Sequence, residues 1–201
     1  MIVLLVEGST EKALTNKIKE FLDECAQTHG HPKVALKPKP LMSTRTDELA
    51  RRIRLELHDP RVMAVVGLID VFPNFRNAEE AKSYLRHAAE QVGGVDRFYA
   101  HAAQYDVEAW LLPYWDDICR RVGVKQRHPG KNPEGVDDTS PPSHHLMELY
   151  LRAKPPRKYR KALEMPAVLR GQDLTVSAKA CPEFKSLLNT LLMLSDLPLL
   201  P

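Results

Sequence analysis

Short apolar runs alternate with amphipathic stretches along the first 124 residues of the chain. The runs Ile2–Val6 and Val62–Ile69 are almost wholly apolar, a pattern typical of strands buried on both faces. A further strand is predicted over residues 97–102. In segment 33–41 lysine alternates with proline, which predicts an edge strand because proline cannot donate to a central ladder.

Helices are predicted between these strands, because apolar residues recur there at helical spacing. The first helix follows Gly8, with Ser9 or Thr10 as its cap. The second covers residues 46–57, the third begins after Asn77, and a fourth follows the last strand directly. Strands that alternate with helices predict an α/β fold, with a mostly parallel, Rossmann-like sheet and helices on both faces.

The pattern changes after Val124. Residues 125–142 contain four prolines and two glycines, which predicts a long loop. A helix is predicted from about residue 143, interrupted by two prolines and continuing to residue 163, and a last helix begins at Pro182. We therefore divide the chain into an α/β core (1–124), a loop (125–142) and a basic helical extension that packs on the core (143–201).

Composition narrows the class of protein. The 201 residues are 43% hydrophobic and 27% charged, which excludes a wholly disordered chain. Neither a membrane-spanning run nor a secretory signal is evident, so no membrane partner is expected. The three cysteines are too widely spaced for a disulfide framework or a zinc site, which favours a reducing cytoplasm.

The net charge of +3 conceals an asymmetry. Between Arg120 and Lys161 there are eleven Lys or Arg residues against four Asp or Glu residues. Such a concentration of positive charge is expected of a protein with a phosphate-rich partner. A solvated basic connector explains the same counts.

Acidic residues follow three of the predicted strands. They are Glu7 with Glu11, then Asp70, then Asp106 with Glu108. In an open parallel sheet, ligands bind at the carboxyl ends of the strands, and gathered carboxylates suit a hard cation such as Mg²⁺. Each acid also has a purely structural interpretation, as a helix cap, a turn residue or a complement to a helix dipole.

Basic residues cluster near residue 160. If this segment is helical, Lys158 and Lys161 share one face at a spacing of three residues. Their ammonium groups would then hold a phosphate, and Lys154, Arg157 and Arg160 would extend the nucleic-acid-binding surface. A solvated basic face is the alternative.

Several of these motifs together resemble a known family. The segments Val6–Glu11 and Asp106–Leu112, with Asp70 between them, resemble a Toprim (topoisomerase–primase) domain of the OLD nuclease type. More narrowly, the chain resembles domain-of-unknown-function family 4276, whose pattern is also similar to Pro141–Ser143, Arg157–Lys161 and Cys181–Phe184. Toprim domains usually carry a second aspartate where this chain has Phe72, which favours the OLD-like arrangement over a topoisomerase or primase.

The resemblance implies phosphodiester chemistry at one or two Mg²⁺ or Mn²⁺ ions. It implies metal ligation by Glu7, Glu11, Asp70, Asp106 and Glu108, and catalytic roles for Glu7, Lys158 and Lys161. Our leading hypothesis is a nuclease acting on DNA rather than RNA, as an antiviral effector encoded beside an ATPase. The alternatives are a non-catalytic module that binds nucleic acid or the ATPase, and a phosphotransfer or phosphatase enzyme acting on a nucleotide. A homo-oligomer is left open.

Overall fold

A computed structural model describes residues 1–8, 12–41, 43–135 and 140–201 of the chain. Its centre is a four-stranded sheet, and all neighbouring strands run parallel in the order β2-β1-β3-β4. The strands are β1 (Ile2–Val6), β2 (Leu36–Pro40), β3 (Ala64–Asp70) and β4 (Phe98–Ala103). The predicted α/β fold with a parallel sheet is confirmed. The predicted cap at Ser9 or Thr10, and the candidate ligand Glu11, lie outside the described residues.

Helices cover both faces of the sheet. Alternate residues of β1 explain this, because Leu4 packs with α1 (Lys12–Thr28), whereas Val3 and Leu5 pack with α2 (Thr46–Leu57) and α3 (Ala78–Glu90). The cap predicted for α3 is confirmed, since the Asn77 side chain accepts a 2.9 Å hydrogen bond from the backbone amide of Glu80.

The strand order places a topological switch point between β1 and β3. The connection from β1 leads to β2 on one side, and the connection from β3 leads to β4 on the other. The register pairs Ile2 with Ala64 and Val6 with Leu68, so the two carboxyl ends lie side by side. Such a point opens a crevice at the edge of the sheet.

The predicted helix after β4 begins as a 3₁₀ helix, which is more tightly wound than an α-helix. A 3₁₀ helix covers Val107–Tyr114, and α4 (Trp115–Val122) follows it. Gly123 ends α4 with a φ of 77°, a left-handed conformation that glycine adopts without steric cost. Nearly every side chain of the 3₁₀ helix is buried, so this segment joins the sheet to the C-terminal helices.

The described part of the proline-rich loop is anchored to the core. A short 3₁₀ turn covers Pro133–Gly135, and the buried Trp110 donates a 3.0 Å hydrogen bond from its indole Nε1 to Glu134 Oε1. The other carboxylate oxygen of Glu134 accepts from the backbone amide of Glu183 at 3.0 Å. Nearer its start, His128 donates from Nε2 to the carbonyl of Leu112 at 3.0 Å.

Four helices form the C-terminal part. They are α5 (Pro142–Leu151), α6 (Lys161–Leu169), α7 (Leu174–Ala180) and α8 (Pro182–Met193), and their apolar residues share one buried cluster with α1. The helix predicted to continue through residues 157–163 is wrong, because residues 156–160 are not helical. Pro155 and Pro156 lack amide donors and disfavour helix before them. No helix within the described ranges is long and apolar enough to cross a membrane.

Candidate functional site at the carboxyl edge of the sheet

Two predicted site residues meet at the switch point. Glu7 directly follows β1, and Asp70 is the last residue of β3. The backbone amide of Asp70 donates a 3.0 Å hydrogen bond to Glu7 Oε2. The contact follows from the parallel register, which brings the ends of β1 and β3 together.

A strained turn brings the next pair of acids to the same place. Tyr105, just beyond β4, has a φ of 67°, which is uncommon for a residue with a side chain. The backbone then turns so that the amide of Val107 donates a 3.1 Å hydrogen bond to Asp70 Oδ1. Asp106 and Glu108 flank Val107, so the turn carries both of them to the end of β3.

Asp106 is held by the beginning of α5. Its side chain is buried, and Oδ2 accepts a 3.2 Å hydrogen bond from the backbone amide of Ser143. A helix N-terminus carries partial positive charge, which stabilises the carboxylate. The other oxygen, Oδ1, is buried without a hydrogen-bond partner among the described residues.

Lys161 lies between the remaining acids. It is the first residue of α6, and its Nζ is 3.1 Å from Glu108 Oε2 and 3.9 Å from Asp70 Oδ2. The Glu108 side chain is only 3% exposed, against 18% for Asp70 and 21% for Lys161. One ammonium group therefore neutralises part of a largely buried cluster of carboxylates.

Burial makes these carboxyl groups hard to ionise. Burial raises the pKa of Asp70 well above its usual value; the Lys161 charge opposes this effect, and the charges of the neighbouring acids add to it. Burial also raises the pKa of Asp106, against the Ser143 hydrogen bond. For Glu108, burial raises the pKa to about 7, with Lys161 opposing and Asp106 reinforcing the rise.

In the segment that leads to Lys161, every second residue contacts the rest of the protein. Arg157 donates from its guanidinium to the carbonyl of Val122 at 3.1 Å, Tyr159 is half-buried, and Lys161 reaches the acids. Arg157 is exposed despite its contact, and so are Lys158 and Arg160, which alternate with the three contacting residues. The prediction that Lys158 and Lys161 share a helical face is therefore wrong, because the segment is not helical. Lys154 is also exposed, outside the acid cluster.

Three contributors to this site escaped the sequence analysis. The Ser143 amide binds Asp106, and the double proline before it was the available signal, since proline favours the first turn of a helix. Tyr105 sets the turn, and nothing in the sequence indicates its left-handed backbone. The buried Tyr159 hydroxyl has no hydrogen-bond partner among the described residues, and burial raises its pKa.

The donor set of the cluster consists of carboxylate oxygens, the ligands that Mg²⁺ and Mn²⁺ prefer. Oδ1 of the buried Asp106 has no hydrogen-bond partner in the described part of the chain and is therefore free to bind a cation. In the described ranges, however, no three acid, histidine or cysteine side chains are grouped closely enough to hold a metal ion. The carboxylates are therefore the right chemical type to bind a hard metal ion, and in this structure the positive charge beside them is the ammonium group of Lys161.

The fold and site define a class: a parallel α/β protein with an acidic cluster at the switch point of its sheet. The profile of the family described as Domain of unknown function (DUF4276) matches residues 6–192. The chain therefore belongs to this family, and the narrower resemblance inferred from the sequence is confirmed. No curated protein and no solved structure matches the chain.

Proposed function

We propose that this protein is a metal-dependent nuclease of the Toprim, OLD-like type. The observation that supports the proposal is the convergence of acids from three strand ends around one lysine. Glu7 contacts the Asp70 amide, Asp70 contacts the Val107 amide, and Lys161 contacts both Asp70 and Glu108. Three strands contribute to one cluster at the place where open α/β sheets bind ligands.

In this proposal the acids bind the metal and Lys161 binds the phosphate. Asp70 and Glu108, with Glu7 beside them and Asp106 offering its unpaired oxygen, would move closer together to hold one or two Mg²⁺ or Mn²⁺ ions; by resemblance Glu11 would join them. Bound metal would supply an activated water and stabilise the charge on a phosphodiester. Lys161 would shift from the acids to the phosphate and offset the charge that develops there.

The proposed substrate is nucleic acid, with DNA favoured over RNA. Exposed basic side chains lie on the segment that leads to Lys161, namely Lys154, Arg157, Lys158 and Arg160. Such side chains suit a polyanionic backbone. The proposed setting is an antiviral defence system in which an ATPase is the partner.

Calorimetric titration of Mn²⁺ and Mg²⁺ tests the site directly. We expect saturable binding by the wild-type protein and a loss of at least tenfold in affinity in Glu7→Ala and Asp70→Asn. The asparagine retains an acceptor for the Val107 amide, so a loss there reports the charge rather than the fold. Glu24→Ala, an exposed acid on α1, is the matched control.

Cleavage of labelled DNA and RNA with Mg²⁺ or Mn²⁺, with and without the same substitutions, tests the activity. Metal binding that survives both Glu7→Ala and Asp70→Asn would reject this site. Polymers left intact while phosphate is released from a nucleotide would instead support the phosphotransfer or phosphatase alternative.

A non-catalytic binding module is the second candidate, and one observation favours it. Lys161 already supplies a positive charge 3.1 Å from Glu108, so the cluster is partly compensated without a metal ion. This alternative predicts salt-sensitive binding of nucleic acid, or of the ATPase, that Glu7→Ala leaves unchanged.

A further inference from the structure

An exposed aromatic ring stands at the rim of the acidic cluster. Phe72 is 42% exposed, and it is the only exposed residue among the phenylalanines, tyrosines and tryptophans, all of which lie in the described ranges. Its backbone amide donates a hydrogen bond of 2.6 Å to the carbonyl of Tyr105. Phe72 therefore lies two residues after Asp70, in the loop that follows β3, and is hydrogen-bonded to the turn that delivers Asp106.

A second exposed ring accompanies it from the other side of the cluster. The ring centroids of His144 and Phe72 are 6.5 Å apart, with the planes at 75° to each other. His144 directly follows Ser143, whose amide binds Asp106. The two rings thus come from the two segments that hold Asp70 and Asp106.

An exposed phenylalanine costs hydration free energy, and the edge-on contact with His144 leaves much of the Phe72 ring in water. Beside a cluster that holds a metal-bound phosphate, as in the proposed function, a planar apolar group matches one ligand chemistry well. A nucleotide presents a charged phosphate and, a few ångströms away, the flat face of a base. Duplex DNA hides that face within its stack, whereas a single strand exposes it.

We propose that Phe72 and His144 form a stacking platform for an unpaired base, and that the substrate is therefore a single-stranded polynucleotide. The inference rests on the proposed function for the phosphate at the acids. It adds a specificity that the acids alone do not supply, since a metal ion held by the acids, and Lys161 beside it, would contact the phosphate and not the base. The exposed Lys158 and Arg160 suit the neighbouring phosphates.

Fluorescence anisotropy with a short labelled single-stranded DNA, its duplex and a single-stranded RNA of the same sequence tests the platform. The titrations are run in EDTA and again in Ca²⁺, to limit cleavage. We expect both single strands to bind more tightly than the duplex. Phe72→Ala should weaken single-strand binding about tenfold, the order expected for one stacked base.

The choice of variants separates stacking from mere apolar contact. Phe72→Trp should retain the affinity, Phe72→Leu should fall to the level of Phe72→Ala, and His144→Ala should give a smaller loss. Leu55→Ala, which removes an exposed leucine on α2, should change nothing. The DNA and RNA arms show which single strand is preferred.

Equal binding of duplex and single strand, equal affinity for Phe72→Leu and wild type, or no binding to any of the three nucleic acids would overturn the platform. Its failure is distinguishable from that of the proposed function, because cleavage is scored separately. Metal-dependent cleavage that is indifferent to Phe72 would remove the platform alone. Phe72-dependent binding without cleavage would remove the nuclease alone.

Discussion

The backbone amide of Asp70 donates a 3.0 Å hydrogen bond to the Glu7 carboxylate, joining two residues that are 63 positions apart in the chain. The contact crosses the switch point of the sheet, where the connections that follow β1 and β3 lead to opposite sides. Glu7 therefore orients the end of β3 as well as adding negative charge to the cluster. Glu7→Gln preserves an acceptor for this amide, whereas Glu7→Ala removes it, so the two substitutions separate position from charge.

Removal of the Lys161 charge should destabilise the fold in a pH-dependent way. Lys161→Met leaves Glu108 buried without its cation, which we expect to cost about 2 kcal/mol at pH 8, less than for a fully buried pair because Lys161 retains some solvent contact. At pH 5 the loss should be smaller, because Glu108, with a pKa raised to about 7, is then protonated and neutral. Urea unfolding at the two pH values measures the difference.

Two controls accompany that measurement. The double variant Lys161→Met with Glu108→Gln should recover most of the stability, because it removes both charges. Lys158→Met, on the exposed neighbour, should have almost no effect at either pH. An equal loss for Lys161→Met at pH 5 and pH 8 would show that packing, rather than charge, explains the change.

The same substitution should have the opposite effect on metal affinity. The Lys161 ammonium lies 3.1 Å from Glu108 and repels an incoming divalent cation. Lys161→Met should therefore bind Mn²⁺ several-fold more tightly than wild type by calorimetry, even while its metal-free form is less stable. Unchanged or weaker binding would mean that the metal and Lys161 do not use the same carboxylates.

Acid should unfold the protein partly through His101. This side chain is 5% exposed, and its Nε2 lies 3.0 Å from the Thr190 hydroxyl oxygen. Burial, helped by the charges of Lys82 and Arg86, lowers the pKa of His101 to about 4 from a usual value of 6.5. Protonation thus favours the unfolded chain, and roughly 3 kcal/mol of stability should be lost as the pH falls from 6.5 to 4.

A comparison of two glutamine variants tests whether the acid sensitivity comes from His101. His101→Gln retains a polar partner for Thr190 but does not titrate, so its unfolding free energy should depend less on pH in this window. His58→Gln, at an exposed position, should follow the wild-type profile. If His101→Gln and wild type lose stability in parallel, other groups account for the acid sensitivity.

Because the backbone at Tyr105 is left-handed, we expect the glycine variant at this position to be more stable than the alanine variant. With a φ of 67°, Tyr105→Gly should be more stable than Tyr105→Ala by about 1 kcal/mol, although glycine is normally the less stable of the two. Thermal unfolding of the two variants measures the order. Because the same turn delivers Asp106 and Glu108, Tyr105→Val should also weaken metal binding. Alanine that is more stable than glycine would contradict the strained turn.

A side chain at Gly67 is expected to destabilise the fold. Gly67 lies in β3, and an added Cβ would come within 2.8 Å of Phe98 Cζ, inside a core where Phe98 is 7% exposed. Gly67→Ala should therefore lower the unfolding free energy by about 1–3 kcal/mol through overpacking. Adding Phe98→Leu should restore part of the loss, which differential unfolding of the single and double variants would show. Two independent, additive losses would contradict a steric clash.

Much of the architecture follows from local patterns. The apolar runs predicted β1 and β3, and helical spacing predicted α1 and α2, because burial on one or two faces imposes its own period on the chain. The position of the acids after the strands was also evident, and parallel strands necessarily bring their carboxyl ends to one edge. This is why Glu7 and Asp70 were expected near each other, as they are.

Contacts between distant segments determined the features that local patterns did not predict. Residues 156–160 are not helical, partly because the Arg157 amide donates to the carbonyl of Tyr150 at 3.0 Å, and spacing along the sequence carries no trace of that contact. Helical geometry would have paired Lys158 with Lys161, whereas the alternation seen here sends only Lys161 to Glu108. The sequence by itself determined the strands, the main helices and the edge at which the acids collect. Only the tertiary structure determined which cation reaches them and that Phe72 and His144 meet at the rim, since those contacts join segments distant in the chain.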